Sequence, residues 1–244
     1  MKKVLVFAVT FMVAHATFSQ VSVGDSLKKH YLSSYEQALR FNDIEMVISS
    51  LNNALVEMKS PQNLLYKDTL SMFYFSNKAY FPSFFLAQEV YNADSTNFKA
   101  LARIGECYQA GAEYKKAAFA FENAAPALKN PYYYYQLAVC QYSLKNASAA
   151  QASADKALAD SNSNHIPVIF TMPNGNEQQV PVSSAALNLK AVVMMDAKNY
   201  DKAREYLQAA LKIYPTFQGA QQNVLTCDTK SKGTKPVVKT KPKG

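Results

Sequence analysis

His15, His30 and His165, with Cys107, Cys140 and Cys227, are the residues of this 244-residue chain best suited to bind a metal or to act as acid, base or nucleophile. A metal centre needs three or four such ligands at converging spacings, and an acid–base site needs a second titratable group held beside the histidine. Neither arrangement occurs. His15 lies in an apolar N-terminal stretch, and His30 and His165 fall in different segments without carboxylate-rich surroundings. No Gly-rich phosphate loop, HExxH, CxxC or Gly-x-Ser-x-Gly sequence is present. Glu45, Glu57, Glu89, Glu106, Glu113 and Glu122 are spread along the chain in the manner of solvated helix faces. The expectation is a non-catalytic protein with no metal site and no cofactor.

Charge narrows the partners. The formal charge is +8, but Lys2 and Lys3 at one end and Lys230, Lys232, Lys235, Lys239, Lys241 and Lys243 at the other equal the whole excess, so the body between them is balanced. A nucleic-acid face needs Lys and Arg clustered on folded surface to displace counterions. Nucleic acid is therefore excluded as an expected partner. Hydrophobic residues make up 49% of the chain and only seven are Gly, which supports a folded core and excludes wholesale disorder.

Met1, Lys2 and Lys3 precede the apolar run from Val4 to Ala14, followed by small residues. A membrane-spanning helix needs about 20 apolar residues, so this run is short for an anchor. It reads as a secretory signal peptide over residues 1–19, cleaved after Ala16 or Ser19, with a buried N-terminal helix as the other reading. No cysteine follows the run, which argues against a lipoprotein, and no second apolar run occurs. The expected location is outside the cytoplasm: periplasmic, cell-surface or secreted, in a bacterium.

The elements that would position any site are repeats. Phe98 to Asn130 places Tyr114, Ala117, Ala118, Phe121, Ala124, Ala125 and Leu128 on one helical face, after a break at Gly111-Ala112-Glu113 and an earlier helix bearing Leu101, Ile104, Gly105 and Tyr108. The design recurs from Ser184 to Pro215 with Leu187, Ala191, Tyr200, Ala203, Leu207, Ala210, Leu211 and Tyr214. Pro131 starts another copy, with Tyr134, Leu137, Ala138, Ala150, Ala154 and Ala157. A weaker one starts near Leu64, with Leu70, Tyr74, Ser83, Ala87 and Val90. Small residues stand where paired helices must approach closely.

With hairpin starts about 34 residues apart, the chain resembles the tetratricopeptide repeat family. The resemblance implies an all-α fold, an α–α superhelix of about four to five helical hairpins. The predicted organisation is an N-terminal hairpin or cap over 20–63, broken at Asn42-Asp43, and a repeat array over 64–228. Phe217 to Cys227 would form the helix that covers the last repeat. The resemblance also implies a concave groove lined by the first helix of each hairpin. Carried onto this sequence, that face holds Asp68, Met72 and Phe75, then Lys99, Glu106 and Gln109, then Tyr132, Tyr135, Val139 and Tyr142, and lastly Asn188, Val192 and Met195. Within the run Tyr132–Tyr135, Tyr134 should pack in the core and Tyr132 and Tyr135 should face the groove. The basic and Asn-rich set with which relatives clamp a chaperone's C-terminal carboxylate is missing.

Ser184 follows Pro131 by 53 residues, well over one repeat. The excess, residues 165–182, holds β-rich segments flanking Asn174-Gly175, a strong hairpin signal. It reads either as a tolerated loop decoration or as a recognition finger or sheet edge offered to a partner. Cys107 and Cys140 hold the tenth position of their repeats. Stacked hairpins keep such positions about 9–10 Å apart, beyond the ~7 Å Cα reach of a disulfide, so both read as core thiols. Cys227, beside the tail, reads as a reactive or pairing thiol. Residues 229–244, rich in Lys, Thr, Pro and Gly, cannot build a core and read as a disordered tail. Two functions remain: a scaffold binding a protein or peptide segment in the groove, or a protein holding an anionic envelope polymer or surface through its tail.

Overall fold

The computed structural model describes residues 22–59, 63–172 and 174–233. Residues 22–59 form one compact unit and the described residues from Asn63 onward a second. The proposed signal peptide and residues 234–244 of the tail lie outside the described residues.

The first unit is a helical hairpin, α1 (Val23–Phe41) and α2 (Ile44–Val56). Ser22 starts it, its hydroxyl accepting from the Asp25 N–H at 3.1 Å. Asn42 stops α1 in the left-handed conformation at φ 54°, and the Asp43 carboxylate caps α2 by accepting from Met46 N–H at 2.9 Å.

The second unit pairs α3 (Leu64–Ser76) with α4 (Tyr80–Ala93), α5 (Phe98–Ala110) with α6 (Tyr114–Leu128), α7 (Pro131–Ser143) with α8 (Ala147–Ala159), and α9 (Val182–Asp196) with α10 (Tyr200–Ile213). It ends on α11 (Gln218–Gly233). Asn97, Asn130, Asn146 and Asn199 begin four of these helices, each side chain accepting a backbone N–H of the first turn. The core repeats with the sequence. Ser71, Gly105, Ala138 and Ala191 occupy one register, and Ser83, Ala117, Ala150 and Ala203 another. All eight are buried. Ala87, Phe121, Ala154 and Leu207 form a third register, each with no exposed surface. In the first pair the hydroxyls bond across the crossing: Ser83 Oγ donates to Ser71 O at 2.8 Å, and Ser71 Oγ to Ser83 O at 3.0 Å. Two polar residues are thereby satisfied inside an apolar layer.

All four intra-hairpin turns share one geometry. Lys78, Ala112, Lys145 and Lys198 are left-handed, with φ between 58° and 62°. In each turn the next N–H bonds back to a carbonyl five residues earlier, as from Glu113 to Tyr108 at 2.8 Å. Gly111 does not supply the left-handed residue; it sits at φ −83° and Ala112 carries the strain. Ala112→Gly is therefore expected to stabilise the chain by about 0.5–1 kcal/mol, since a Cβ is disfavoured at positive φ. A urea midpoint that stays put or falls would show that the turn carries no such cost.

Between α8 and α9 the insert forms an antiparallel hairpin, β1 (Pro167–Thr171) and β2 (Glu177–Pro181), with Val168 opposite Val180 and Phe170 opposite Gln178. One face is buried through Val168 and Val180, and the other exposes Ile169 and Gln179. Gly175 turns the tip at φ +82°. This is more than a loose decoration. The Phe170 ring meets Phe217 edge-to-face at 4.8 Å. Gln178 clamps the entry to α11: its Nε2 donates to Thr216 O at 2.7 Å and its Oε1 accepts from Gln218 N–H at 3.1 Å.

The end of α11 corrects two expectations. The helix runs to Gly233, five residues into the segment read as a disordered tail. Arg204 anchors it, donating to Asp228 Oδ1 at 2.9 Å and to Ser231 Oγ at 3.3 Å. Cys227 is fully buried and free, and burial raises its thiol pKa, which opposes the reactivity expected beside a tail. Cys107 and Cys140 are also buried and unpaired.

Candidate interaction face

The first helices of successive hairpins carry two clefts of opposite character. The smaller, about 340 Å³, lies across α3, α5 and α7 and is lined by Asp68 and Met72, by Lys99 and Arg103, and by Tyr133. Its centre is Arg103. The guanidinium stacks 4.6 Å from the centroid of the Phe75 ring and donates to Glu106 Oε2 at 2.6 Å. Glu106 also accepts from the Tyr132 hydroxyl. Gln109 Nε2 donates to Gln136 Oε1 at 2.9 Å, tying α5 to α7.

Burial shapes the titration of this cluster. It raises the Glu106 carboxyl above its usual value, with Arg103 opposing, and raises Asp68 against the pull of Arg103 and Lys99. Burial and the Glu106 charge push Tyr133 up to about 12. The folded chain thus holds the Glu106 and Asp68 protons more tightly than the unfolded chain does. Stability is greatest where both carboxyls are protonated and falls as pH rises through their raised values. Acidification from neutral toward pH 4.5, the ordinary glutamate value, should raise the urea midpoint. Asp25 and Asp94, both lowered, weaken the fold only below about 3.8. Glu106→Gln should flatten the profile; an unchanged slope in that variant would remove Glu106 as its source.

The larger cleft, about 710 Å³, is bounded by α7, α9, α11 and the hairpin. Tyr135, Val139, Leu189 and Val192 make an apolar floor, Phe170, Met172 and Asn174 come from the hairpin side, and Gln218, Gln221, Gln222 and Asn223 form an amide-rich wall. Tyr142 stands at one edge, its hydroxyl donating to Asp196 Oδ2 at 2.8 Å. Burial and Asp196 push that phenol up to about 12.

Eight of the thirteen residues expected on this face line one cleft or the other. Asp68, Met72 and Lys99 line the smaller, with Phe75 under Arg103 and Tyr132 on Glu106. Tyr135, Val139, Tyr142, Asn188 and Val192 line the larger. Phe75, Glu106, Gln109, Tyr132 and Met195 line neither cleft, and Met195 packs half-buried on the core. Two expectations need correction. Glu106, read as a solvated face, is only 8% exposed, because Arg103 and Tyr132 close over it. Tyr135 lines the cleft but is only 7% exposed and belongs to the buried core cluster that α7 and α9 share. The α11 wall was not assigned to the site from sequence, and the hairpin was read there only as a decoration or a separate recognition element. The Asn-Gly turn marked the hairpin, but nothing local marked where it docks.

Paired helices, a common left-handed turn and three small or apolar registers define an α-helical repeat solenoid. Residues 184–217 match the tetratricopeptide repeat model. A tetratricopeptide repeat protein from Parabacteroides merdae superposes with a TM-score of 0.67 at 13% identity, over 85% of this chain and 74% of that one. MamA superposes with a TM-score of 0.62 at 15% identity, over 77% and 92%. A chain of the APC/C hetero-tetramer Cut9–Hcn1 gives a TM-score of 0.60 at 15% identity, over 82% of this chain and 36% of its own length. No curated protein matches by sequence. The chain has the tetratricopeptide-repeat fold and carries one repeat that fits the family's own model. Among the described residues no helix is long and apolar enough to cross a membrane.

Proposed function

We propose that the chain is a non-catalytic scaffold that is exported and binds a protein or peptide segment in the cell envelope, on the face formed by α3, α5, α7 and α9. The observation that carries this reading is the pair of clefts on that face, of about 710 and 340 Å³, both within the size typical of ligand sites, about 300–1,000 Å³. The hetero-tetrameric Cut9–Hcn1 assembly supports it as an example of this fold within a multiprotein complex. The basic and apolar N-terminus supports export. The lysines after Asp228 favour a second reading, retention on an anionic surface through the tail.

Crosslinked pull-down from native envelope fractions separates the two. The compared chains are the full chain, one ending at Gly233, and a Val139→Asp, Val192→Asp double variant. The scaffold reading expects the same protein partner from the first two and about tenfold less from the third. Recovery that vanishes with the tail, or consists of glycan and lipid alone, would make the tail the active part.

A further inference from the structure

A third cleft, of about 560 Å³, lies between α4, α5 and α6 and shares no lining residue with the other two. Leu101, Ile104 and Ala120 are its buried floor, and Tyr91 and Phe119 flank them. Phe119 is 67% exposed, an apolar ring that folding leaves in water beside an apolar hollow. The cleft has two unlike ends. Its cations stand together: Lys115 and Lys116 open α6, and Lys116 Nζ sits 5.3 Å from the centroid of the Tyr108 ring. Leu101 lies one helical stretch away on α5, about 10 Å before Tyr108 at 1.5 Å per residue, and no charged side chain among the described residues lines that end. Since α6 begins without a side-chain cap, its first N–H groups add to the positive end. One acid is near, Glu113, which pairs with Lys116 at 3.3 Å through side chains that are both more than half exposed; Lys115 makes no ion pair among the described residues.

We infer that this cleft binds a single alkyl chain of about ten carbons ending in an anion, the chemistry of a medium-chain fatty acid. The chain rests on Leu101, Ile104 and Ala120 against the Phe119 ring, and the anion meets Lys115 and Lys116. Apolar walls with cations at one end suit an anionic amphiphile, and they give a cationic one no counter-charge. An anionic bilayer suits the surface less well. Across α4 and α6, Lys115 and Lys116 are balanced by Glu89 and Glu122, so these helices carry no net charge to draw them to lipid. The site is separate from the scaffold face, and its failure leaves the scaffold reading standing.

The test is calorimetric titration of sodium decanoate, below its micelle concentration, into the chain from Gln20 onward, which holds every described residue. One equivalent should bind, about tenfold more tightly than octanoate, because two more methylenes leave water. Decyltrimethylammonium, the same chain with a cation, should bind about tenfold more weakly than decanoate. Lys115→Gln and Lys116→Gln together should weaken decanoate about tenfold and abolish its preference over the cation, with little change in melting temperature because both side chains are exposed. Phe119→Ser, which opens one wall, should weaken it about fivefold. Equal affinity for the two amphiphiles would overturn the inference. So would loss of decanoate binding in the Val139→Asp, Val192→Asp variant, which would place the chain in the larger cleft. Flotation with phosphatidylglycerol vesicles while decanoate gives no heat would make the patch a membrane contact instead. A dimer that Phe119→Ser returns to monomer, seen by light scattering, would make it an interface between copies, and either result sinks the fatty-acid site.

Discussion

Phe217→Ala is expected to cost about 3–5 kcal/mol, the usual penalty for emptying a fully enclosed aromatic site. Phe217 has no exposed surface and is one of the largest fully buried side chains among the described residues. Its ring meets Phe170 edge-to-face at 4.8 Å, and its backbone joins the last turn of the array to α11: its N–H donates to Tyr214 O at 3.1 Å and its carbonyl accepts from Gln221 N–H at 3.0 Å. The ring thus ties together α10, the hairpin and α11, which supply two walls of the larger cleft. Each hairpin of a solenoid contacts its neighbours alone, so the damage should stay local. Native-state hydrogen exchange should lose protection in β1, β2 and α11 while α5 and α6 keep theirs. A loss below about 1 kcal/mol, or one spread evenly from α3 to α11, would contradict this role.

What was legible in the sequence follows from period. Ala117, Phe121 and Ala124, and again Ala203, Leu207 and Ala210, recur at helical spacing because each faces its partner helix, and burial empties all six of exposed surface. The insert declared itself by Asn174-Gly175 between alternating residues. The features that escaped are those decided by contact between distant segments. The break at Gly111-Ala112-Glu113 was legible, but not which of the three takes the left-handed conformation, and the turn set it at Ala112. Glu106 carries a charge and reads as solvated, yet Arg103 one turn before it and Tyr132 on the next hairpin enclose it. Gln178 looks like any exposed amide until the start of α11 is brought against it, 38 residues later in the chain. The candidate site was legible as a face and not as a cleft, because two of its walls come from segments that are not first helices of hairpins.

Gly105→Leu is the second substitution expected to do severe damage, about 1–3 kcal/mol or more, by overpacking. A Cβ at Gly105 would lie 3.1 Å from Ala120 Cβ and 3.1 Å from Phe121 Cε1. Neither neighbour can yield. Ala120 has no side chain beyond that atom, and Phe121 is fully enclosed, its ring stacked on Tyr133 with centroids 6.3 Å apart. A leucine must therefore push α5 from α6 and disturb α7 as well. Gly105→Ala separates the two forces involved. It gains about 0.8–1 kcal/mol of helix propensity against a displacement of a few tenths of an ångström, so its net effect should be near zero. Gly219 is tighter still: its added Cβ would come within 2.6 Å of Phe170 Cε1 and 3.0 Å of the fully enclosed Phe217 Cε2, so it must displace the Phe170 ring from Phe217. Gly219→Ala should accordingly both alter the larger cleft and lower stability, though less than Gly105→Leu because the Phe170 ring is half-buried. Urea unfolding of the three variants ranks them: Gly105→Leu lowest, Gly219→Ala between, and Gly105→Ala close to the parent. A Gly105→Leu chain as stable as the parent would mean that the α5–α6 crossing is loose, and the small-residue register would lose its explanation.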